Sequence, residues 1–184
     1  MSLHLIVSRD KNYQDCSFFS YEIMEKATLD SRLDTINKEN KFVSSFPFPA
    51  YLEDKIELSV NKKLNSDVKI KWHDYDTGCY CLEFSMFYPF RYSKNIRIKG
   101  LGSFILSMTL AAIHQDSLSN ETPFKESDDI YVKKVSNSIL PLLVRRGFKE
   151  DFTESPIGTY YCSIENAFLE SKKREEKKAV NIIK

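Results

Sequence analysis

The residues with the clearest chemical potential form the segment Arg97-Ile98-Lys99-Gly100-Leu101-Gly102-Ser103. Its two glycines stand one residue apart, and neither has a Cβ atom that would keep a ligand away from the backbone N–H groups. An apolar stretch typical of a helix follows directly, and the first N–H groups of a helix have no acceptor within it. With the charges of Arg97 and Lys99, these donors predict a site for an anion such as a pyrophosphate. An ordinary glycine-containing loop is the alternative, because such a motif gains meaning only from its structural context.

Composition limits the kinds of partner that this chain is expected to have. Its 184 residues, of which 42% are hydrophobic, predict one domain over residues 1–184. The 27 basic and 26 acidic residues leave a net charge of +1, so neither nucleic acid nor a membrane surface is expected as a partner. No apolar stretch reaches the roughly 18–20 residues that span a bilayer, and the first residues lack a signal-peptide pattern. We therefore expect a cytoplasmic protein.

The cysteines predict neither a disulfide scaffold nor a metal site. Four of them, Cys16, Cys79, Cys81 and Cys162, are too few and too irregularly spaced for a disulfide-dense fold, so reduced thiols are expected. Cys79 and Cys81 with His73 resemble part of a zinc site. A structural zinc site needs four ligands at recognisable spacing, however, and no metal is expected here.

Hydrophobic periodicity predicts alternating strands and helices before the glycine segment. The stretch between Tyr13 and Lys41 has helical spacing and predicts one or two helices, broken near Leu29-Asp30-Ser31. The two prolines of Phe46-Pro47-Phe48-Pro49 predict a stiff connector. The predicted strands are Leu3–Ser8, a hairpin of Lys55–Val60 and Val68–His73, and the aromatic-rich stretch Cys79–Tyr92, which Pro89 interrupts.

After the glycine segment the clearest helix is Gly102–Gln115, whose apolar stripe predicts core packing. A polar loop is expected over Asp116–Asp128. Mixed charges in the helix-prone end, Glu165–Lys184, are typical of a solvated face or a frayed tail, and an interaction tail is the alternative. The remaining predicted elements are a strand at Asp129–Lys133, a helix at Ser136–Arg146 ended by Gly147, a strand from Phe148 and a strand at Thr159–Ile164.

Two separated segments resemble the GNAT superfamily of acyl-CoA-dependent N-acetyltransferases. Arg97–Gly102 resembles the family's Arg/Gln-x-x-Gly-x-Gly/Ala motif, and Asn137 followed by Leu142–Phe148 resembles its later Asn…Gly-Phe segment. The order of predicted elements is similar over nearly the whole chain. The resemblance implies an α/β (α+β) fold with a mixed, mostly antiparallel central sheet flanked by helices. It also implies that this sheet splits between Cys79–Tyr92 and Asp129–Lys133, with the pantetheine arm in the gap.

The same resemblance implies which residues bind the co-substrate, acetyl-CoA. Backbone N–H groups between Lys99 and Ser103 would hold the pyrophosphate, with the Ser103 hydroxyl nearby, and Asn137 would lie beside the pantetheine arm. The implied coenzyme-binding residues are Arg97, Ile98, Lys99, Gly100, Leu101, Gly102, Ser103 and Asn137.

Acetyl transfer to an amine requires a base to take the amine's proton and a group to stabilise the oxyanion. Glu83, on the strand before the glycine segment, is the predicted base, and a surface or salt-bridged glutamate is the alternative. The family often has a tyrosine four residues before the glycine of its Gly-Phe pair, as general acid, where this chain has Leu143. Tyr131, Tyr160 or Tyr161 are the candidate replacements, although tyrosines on strands commonly serve packing.

The sequence therefore predicts an N-acetyltransferase that moves an acetyl group from acetyl-CoA to a primary amine of a small molecule or protein, as a monomer or homodimer. The alternative is a catalytically inactive GNAT-like module that binds acyl-CoA or another protein, which Leu143 favours. A nucleotide-binding protein of another fold is a third hypothesis. It fits less well because Ile105 occupies the third glycine position of Gly-x-Gly-x-x-Gly.

Overall fold

The computed structural model describes residues 2–10, 19–36, 41–57, 70–74, 80–84, 98–122, 124–133, 135, 137–152 and 158–180. Within them the fold is mixed, as the sequence predicts, and its strands form two β-sheets, whereas the resemblance implies one central sheet. The elements in chain order are β1 (Leu3–Asp10), β2 (Phe19–Glu25), α1 (Lys26–Ile36), β3 (Lys41–Pro47), α2 (Ala50–Glu57), β4 (Ile70–Asp74), β5 (Tyr80–Phe84), α3 (Leu101–Ser117), β6 (Asp129–Lys133), α4 (Leu140–Val144), β7 (Lys149–Glu150), β8 (Tyr160–Ser163) and α5 (Ile164–Val180).

The first sheet has β1 at its centre, with β2 and β3 antiparallel on either side. The predicted first strand is confirmed: Leu5 and Val7 are fully buried on one face, and Ile6 joins a small separate cluster on the other. The helix prediction for Tyr13–Lys41 is correct for α1 and wrong for β2. Burial in β2 alternates from residue to residue, as in a strand, because Phe19 and Tyr21 pack into the core.

The second sheet has the order β4-β5-β6-β8-β7, in which β5 and β6 are parallel and the other neighbours are antiparallel. The predicted strand Lys55–Val60 is wrong for its first three residues, which belong to α2. Leu52 and Ile56 stand four residues apart and are both buried, which is the spacing of one helix face. Tyr80–Glu83 pairs with Ile130–Lys133, so the described residues do not show the split implied between Cys79–Tyr92 and Asp129–Lys133, and residues 85–92 lie outside the described part.

Helix α3 lies at the centre of the fold and confirms the predicted helix Gly102–Gln115. Eleven of its 17 residues are buried, far more than one stripe. It packs in the main core with residues of both sheets, and α5 runs antiparallel along it: Ser107 lies within 2.9 Å of Glu175, and His114 stacks on Phe168 with ring centroids 4.1 Å apart. A helix that is covered on nearly every side must find partners for each of its polar groups.

The far end of α3 is joined to the first sheet by a buried ion pair. Arg9 Nε donates to Asp116 Oδ2 at 2.8 Å, and Arg9 Nη2 donates to the other carboxylate oxygen. Arg9 and Asp116 are only 2% and 3% exposed. Arg9 also donates to the Val7 carbonyl and to Ser44 Oγ, which completes the guanidinium's contacts. This two-pronged geometry holds a carboxylate at a helix C-terminus, where the helix dipole opposes it.

We predict that Asp116→Ala lowers the free energy of unfolding by about 3–5 kcal/mol, because it leaves the buried Arg9 charge without its partner. Urea denaturation followed by circular dichroism measures this change. Glu22→Ala is the matched control, since it also removes the carboxylate partner of an arginine, Arg32, but in a pair whose side chains are 54% and 58% exposed. That control should change stability by less than about 1 kcal/mol. Equal effects of the two variants would show that the buried pair has no special role.

Candidate functional site

The glycine segment forms a tight turn directly before α3. Gly100 has φ 97° and ψ −18°, in the left-handed region, and stands at the N-cap position of the helix. The Leu101 amide donates to the Ile98 carbonyl at 3.2 Å, and the Phe104 amide donates to Gly100 at 3.0 Å. A Cβ atom at position 100 would meet Tyr51 and Leu52 only at 3.7 and 3.8 Å. The backbone conformation, and not lack of space, therefore requires glycine here.

The residues of the segment divide between the core and the surface. Leu101 is buried and Ile98 packs against the core, so neither side chain is available to a ligand, and Lys99 is exposed. Gly102 and Ser103 occupy the first turn of α3, where amides have no acceptor within the helix. Arg97 lies outside the described residues. These two amides are the donors that the structure offers to an anion, and the coenzyme-binding roles themselves stay predictions.

The Ser103 side chain is already engaged by cations. Arg146 Nη2 donates to the Ser103 carbonyl at 2.7 Å and to its hydroxyl at 3.0 Å. Lys178 Nζ, from α5, lies 3.3 Å from the same hydroxyl. The sequence predicts Ser103 as a neighbour of a pyrophosphate and assigns no such role to Arg146 or Lys178. A ligand at the first turn of α3 would therefore meet these two cations as well as the backbone donors.

Arg146 links α3 and α4 from a fully buried position. It follows α4, and its Nη1 donates to the Leu142 carbonyl at 2.7 Å while Nη2 donates to Ser107 Oγ of α3 at 2.8 Å. Burial lowers the pKa of Arg146 to about 10, and the nearby carboxylate of Glu175 opposes that shift. A guanidinium at such a site remains charged at neutral pH, so its desolvation must be offset by hydrogen bonds and by Glu175.

Glu175, on α5, supplies the negative charge of this group. Its carboxylate lies 2.7 Å and 3.0 Å from Lys178 Nζ, 2.9 Å from the Ser107 hydroxyl and 3.5 Å from the Tyr51 hydroxyl. Burial lowers the pKa of Lys178, whereas Glu175 acts to raise it. Burial and the charge of Glu175 together raise the pKa of Tyr51 to about 12. One carboxylate thus holds together groups from α2, α3 and α5.

The structure divides the three candidate tyrosines between the two faces of the second sheet, with Tyr131 and Tyr161 on one face and Tyr160 on the other. Tyr131 pairs in register with Tyr161, and Val132 pairs with Tyr160. Successive strand residues point to opposite faces, and Tyr160 packs against the main core, whereas Tyr131 stacks on Tyr161 with centroids 5.9 Å apart. Tyr131 and Tyr160 therefore do not meet at one site.

The other predicted site residues are also separated. Glu83 stands on β5, in register with Lys71 and Lys133, and its side chain lies outside the described part of the structure. Leu143, at the position of the family's tyrosine, is fully buried in the core. Asn137 is exposed in the turn before α4. The structure therefore brings together the glycine segment and a group of cations, and leaves the prediction of Glu83 as base untested.

The described residues contain no group of three or more His, Cys, Asp or Glu side chains that could hold a metal ion. His73 and Cys81 have side chains outside the described part, and Cys79 is also outside it. Cys162 is a free, buried thiol whose pKa is raised by burial. Among the described helices, none is both long and apolar enough to cross a membrane.

Comparison of the chain with protein-family models, with curated proteins and with solved structures gave no match.

Sequence reasoning missed the role of α5, because the charges of Glu165–Lys184 are typical of a solvated face. The helix prediction is confirmed for residues 165–180, and the helix begins at Ile164, which was predicted to end the preceding strand. One face of the helix packs against α3. The available signal was the spacing of Ile164, Ala167 and Ser171, three and four residues apart, which are all buried. Glu175 and Lys178 continue the same face.

We predict that Glu175→Gln destabilises the fold by about 1–3 kcal/mol, because glutamine keeps the size of the side chain but removes the charge that faces Arg146 and Lys178. Thermal and urea denaturation measure the change. Glu176→Gln is the matched control, since Glu176 is the next residue of α5 and is exposed. The prediction fails if both variants are as stable as the wild-type chain.

Proposed function

We propose that this protein is an N-acetyltransferase of the GNAT type, which transfers an acetyl group from acetyl-CoA to a primary amine of a small molecule or protein. The observation that carries the proposal is the left-handed backbone conformation of Gly100 at the start of α3. In the chain, α3 comes after β5 and before β6, and these two strands are parallel neighbours in the second sheet. A glycine motif is informative when its turn begins a helix that connects two parallel strands, as this turn does.

Electrostatics at the start of α3 also favours a phosphate-bearing ligand. The amides of Gly102 and Ser103 stand at the positive end of the helix dipole. Arg146 and Lys178 contact Ser103, and Lys99 is exposed on the turn before it. Among the described residues, the carboxylate that contacts this group is that of Glu175, so these side chains together carry positive charge although the whole chain is nearly neutral.

In the proposed reaction acetyl-CoA supplies the thioester carbonyl carbon that the amine attacks. The chain must accept a proton from the amine and stabilise the developing oxyanion. We assign the first task to the carboxylate of Glu83, on the strand that is parallel to β6. The C–S bond then breaks and the thiolate of coenzyme A leaves. Tyr131 and Tyr161, half-buried on the face opposite the core, are better placed to protonate it than Tyr160, which packs into the core.

A catalytically inactive acyl-CoA-binding or protein-interaction module is the second candidate. The burial of Leu143 favours it, since this core side chain stands where the family often has its acid. The two candidates differ in one measurable respect. The enzyme binds acetyl-CoA and consumes it when an amine is added, whereas the inactive module never consumes it.

We predict that Gly102→Glu abolishes acetyl-CoA binding in isothermal titration calorimetry. The glutamate fills the space over the first turn of α3 and repels the phosphates. A carboxylate in the first turn of a helix is otherwise favourable, so the variant should fold. Gly102→Gln separates the steric effect from the charge effect, and we expect it to weaken binding less.

Asn120→Glu is the charge control, because Asn120 is exposed beyond the opposite end of α3. It should bind acetyl-CoA as the wild-type chain does. Undiminished binding by Gly102→Glu would remove the glycine segment from the proposed site, and absence of binding by the wild-type chain would exclude the acetyltransferase.

For Glu83→Gln we predict a turnover about 100- to 10,000-fold lower, with nearly unchanged affinity for acetyl-CoA, because the variant loses a base but keeps the glycine segment. Thiol release in the presence of an amine substrate measures turnover, and calorimetry measures affinity. Glu176→Gln, on the exposed face of α5, should leave both values unchanged. A Glu83→Gln protein with wild-type turnover would show that another group is the base.

A further inference from the structure

Three donors at the junction of α3, α4 and α5 are buried without an acceptor. They are Nε of Arg146, Oγ of Ser171 and Nε of Arg174, and the part of the chain that the structure describes offers no partner to any of them. Native proteins leave few buried polar groups unpaired, and each such group points to an ordered water or an ion. Three unpaired donors at one junction point to one bound species that accepts hydrogen bonds from all of them.

These donors belong to one interface. Ser171 and Arg174 stand three residues apart on α5 and are neighbours on the same helix face. Arg146 lies against α5, because Arg146 Nη2 and the Glu175 carboxylate share the Ser107 hydroxyl at 2.8 Å and 2.9 Å. Arg146 and Ser171 are 0% and 2% exposed, so bulk water does not reach their unpaired atoms.

The charges around the donors do not balance. Arg146, Arg174 and Lys178 are cations close enough to act on one another, and Glu175 is the carboxylate, among the described residues named here, whose charge acts on Arg146 and Lys178. The contacts of Glu175 go to Ser107, Lys178 and Tyr51, and none goes to the unpaired Nε atoms. A water molecule could accept hydrogen bonds here but would leave the excess positive charge, which is costly to bury.

We infer that the junction of α3, α4 and α5 binds a small oxyanion, such as inorganic phosphate or sulfate, through Arg146 Nε, Ser171 Oγ and Arg174 Nε. Guanidinium groups match the geometry of such ions, and bonds between charged partners are the strong ones. The ion supplies an acceptor to each donor and neutralises the excess charge. The site uses Nε of Arg146, whereas Nη2 of the same side chain contacts Ser103 at the first turn of α3, and the inference does not depend on acetyl transfer.

Ser171→Ala tests this inference on the full chain. Without an anion, the substitution removes an unpaired buried hydroxyl from a helix, so the variant should be as stable as the wild-type chain or more stable. With inorganic phosphate at about ten times its dissociation constant, the melting temperature of the wild-type chain should rise by about 3–6 °C. Ser171→Ala should bind phosphate about 10- to 100-fold more weakly, because one hydrogen bond to a charged group is lost.

Ser127→Ala is the matched control, since Ser127 is exposed in the turn before β6, and it should respond to phosphate as the wild-type chain does. All proteins are compared at the same ionic strength, so that the difference between variants cancels general salt effects. Equal stabilisation of the three proteins would place the ion elsewhere and overturn the inference. The inference is also overturned if phosphate does not stabilise the wild-type chain.

A phosphate group of coenzyme A has the same chemistry as the free ion, and calorimetry distinguishes the two sources. Coenzyme A is titrated into the protein with and without saturating inorganic phosphate. Unchanged coenzyme affinity supports a separate, free ion, and competition supports a coenzyme phosphate as the occupant. This comparison rests on the proposed function, whereas the phosphate titration of Ser171→Ala does not, so the two ideas fail separately.

Discussion

The burial of α3 on nearly every side is the constraint on which the rest of the structure depends. A helix at the centre of a fold gains stability from its apolar surface, but each polar side chain on it must find a partner within the protein. Thr109 meets the Tyr21 hydroxyl at 2.7 Å, and Asp116 meets Arg9. Ser107 meets Arg146 and Glu175. The partners come from β1, β2, α5 and the turn after α4, so these contacts fix how the surrounding elements are arranged around α3.

The two ends of α3 satisfy this constraint differently. At the C-terminal end, Arg9 and Asp116 form a balanced pair with further bonds to Val7 and Ser44. At the N-terminal end, in the part of the chain that the structure describes, Arg146 and Lys178 face the carboxylate of Glu175, and three buried donors lack acceptors. A structure under selection for stability alone has no reason to keep such an imbalance. Departures of this kind concentrate at functional sites, where a ligand completes what the protein leaves open.

Sequence reasoning succeeded where local pattern and tertiary environment agree. The strand β1 and the helix α3 have clear periodicity, and both were predicted close to their observed bounds. The helix prediction failed for β2, whose apolar residues fit a helical spacing as well as a strand. Tertiary contacts select the strand, because β2 pairs with β1 and its Phe19 and Tyr21 are buried in the main core. The glycine turn at Gly100 was predictable from its own residues. The group around Arg146 was not, because Ser103, Arg146 and Glu175 are far apart in the chain and only the packing of α5 against α3 brings them together.

Because Ser103 belongs both to the first turn of α3 and to the contacts of Arg146 and Lys178, the glycine segment and α5 are physically coupled. An anion bound to the first-turn amides would lower the electrostatic repulsion among the cations, and α5 would pack more favourably in the bound state than in the free one. The same cations that oppose packing of the free chain would therefore contribute to ligand affinity. By linkage, a ligand that binds only the folded state stabilises that state. The excess positive charge that lowers stability at the N-terminal end of α3 is therefore also the feature through which a bound anion would raise it.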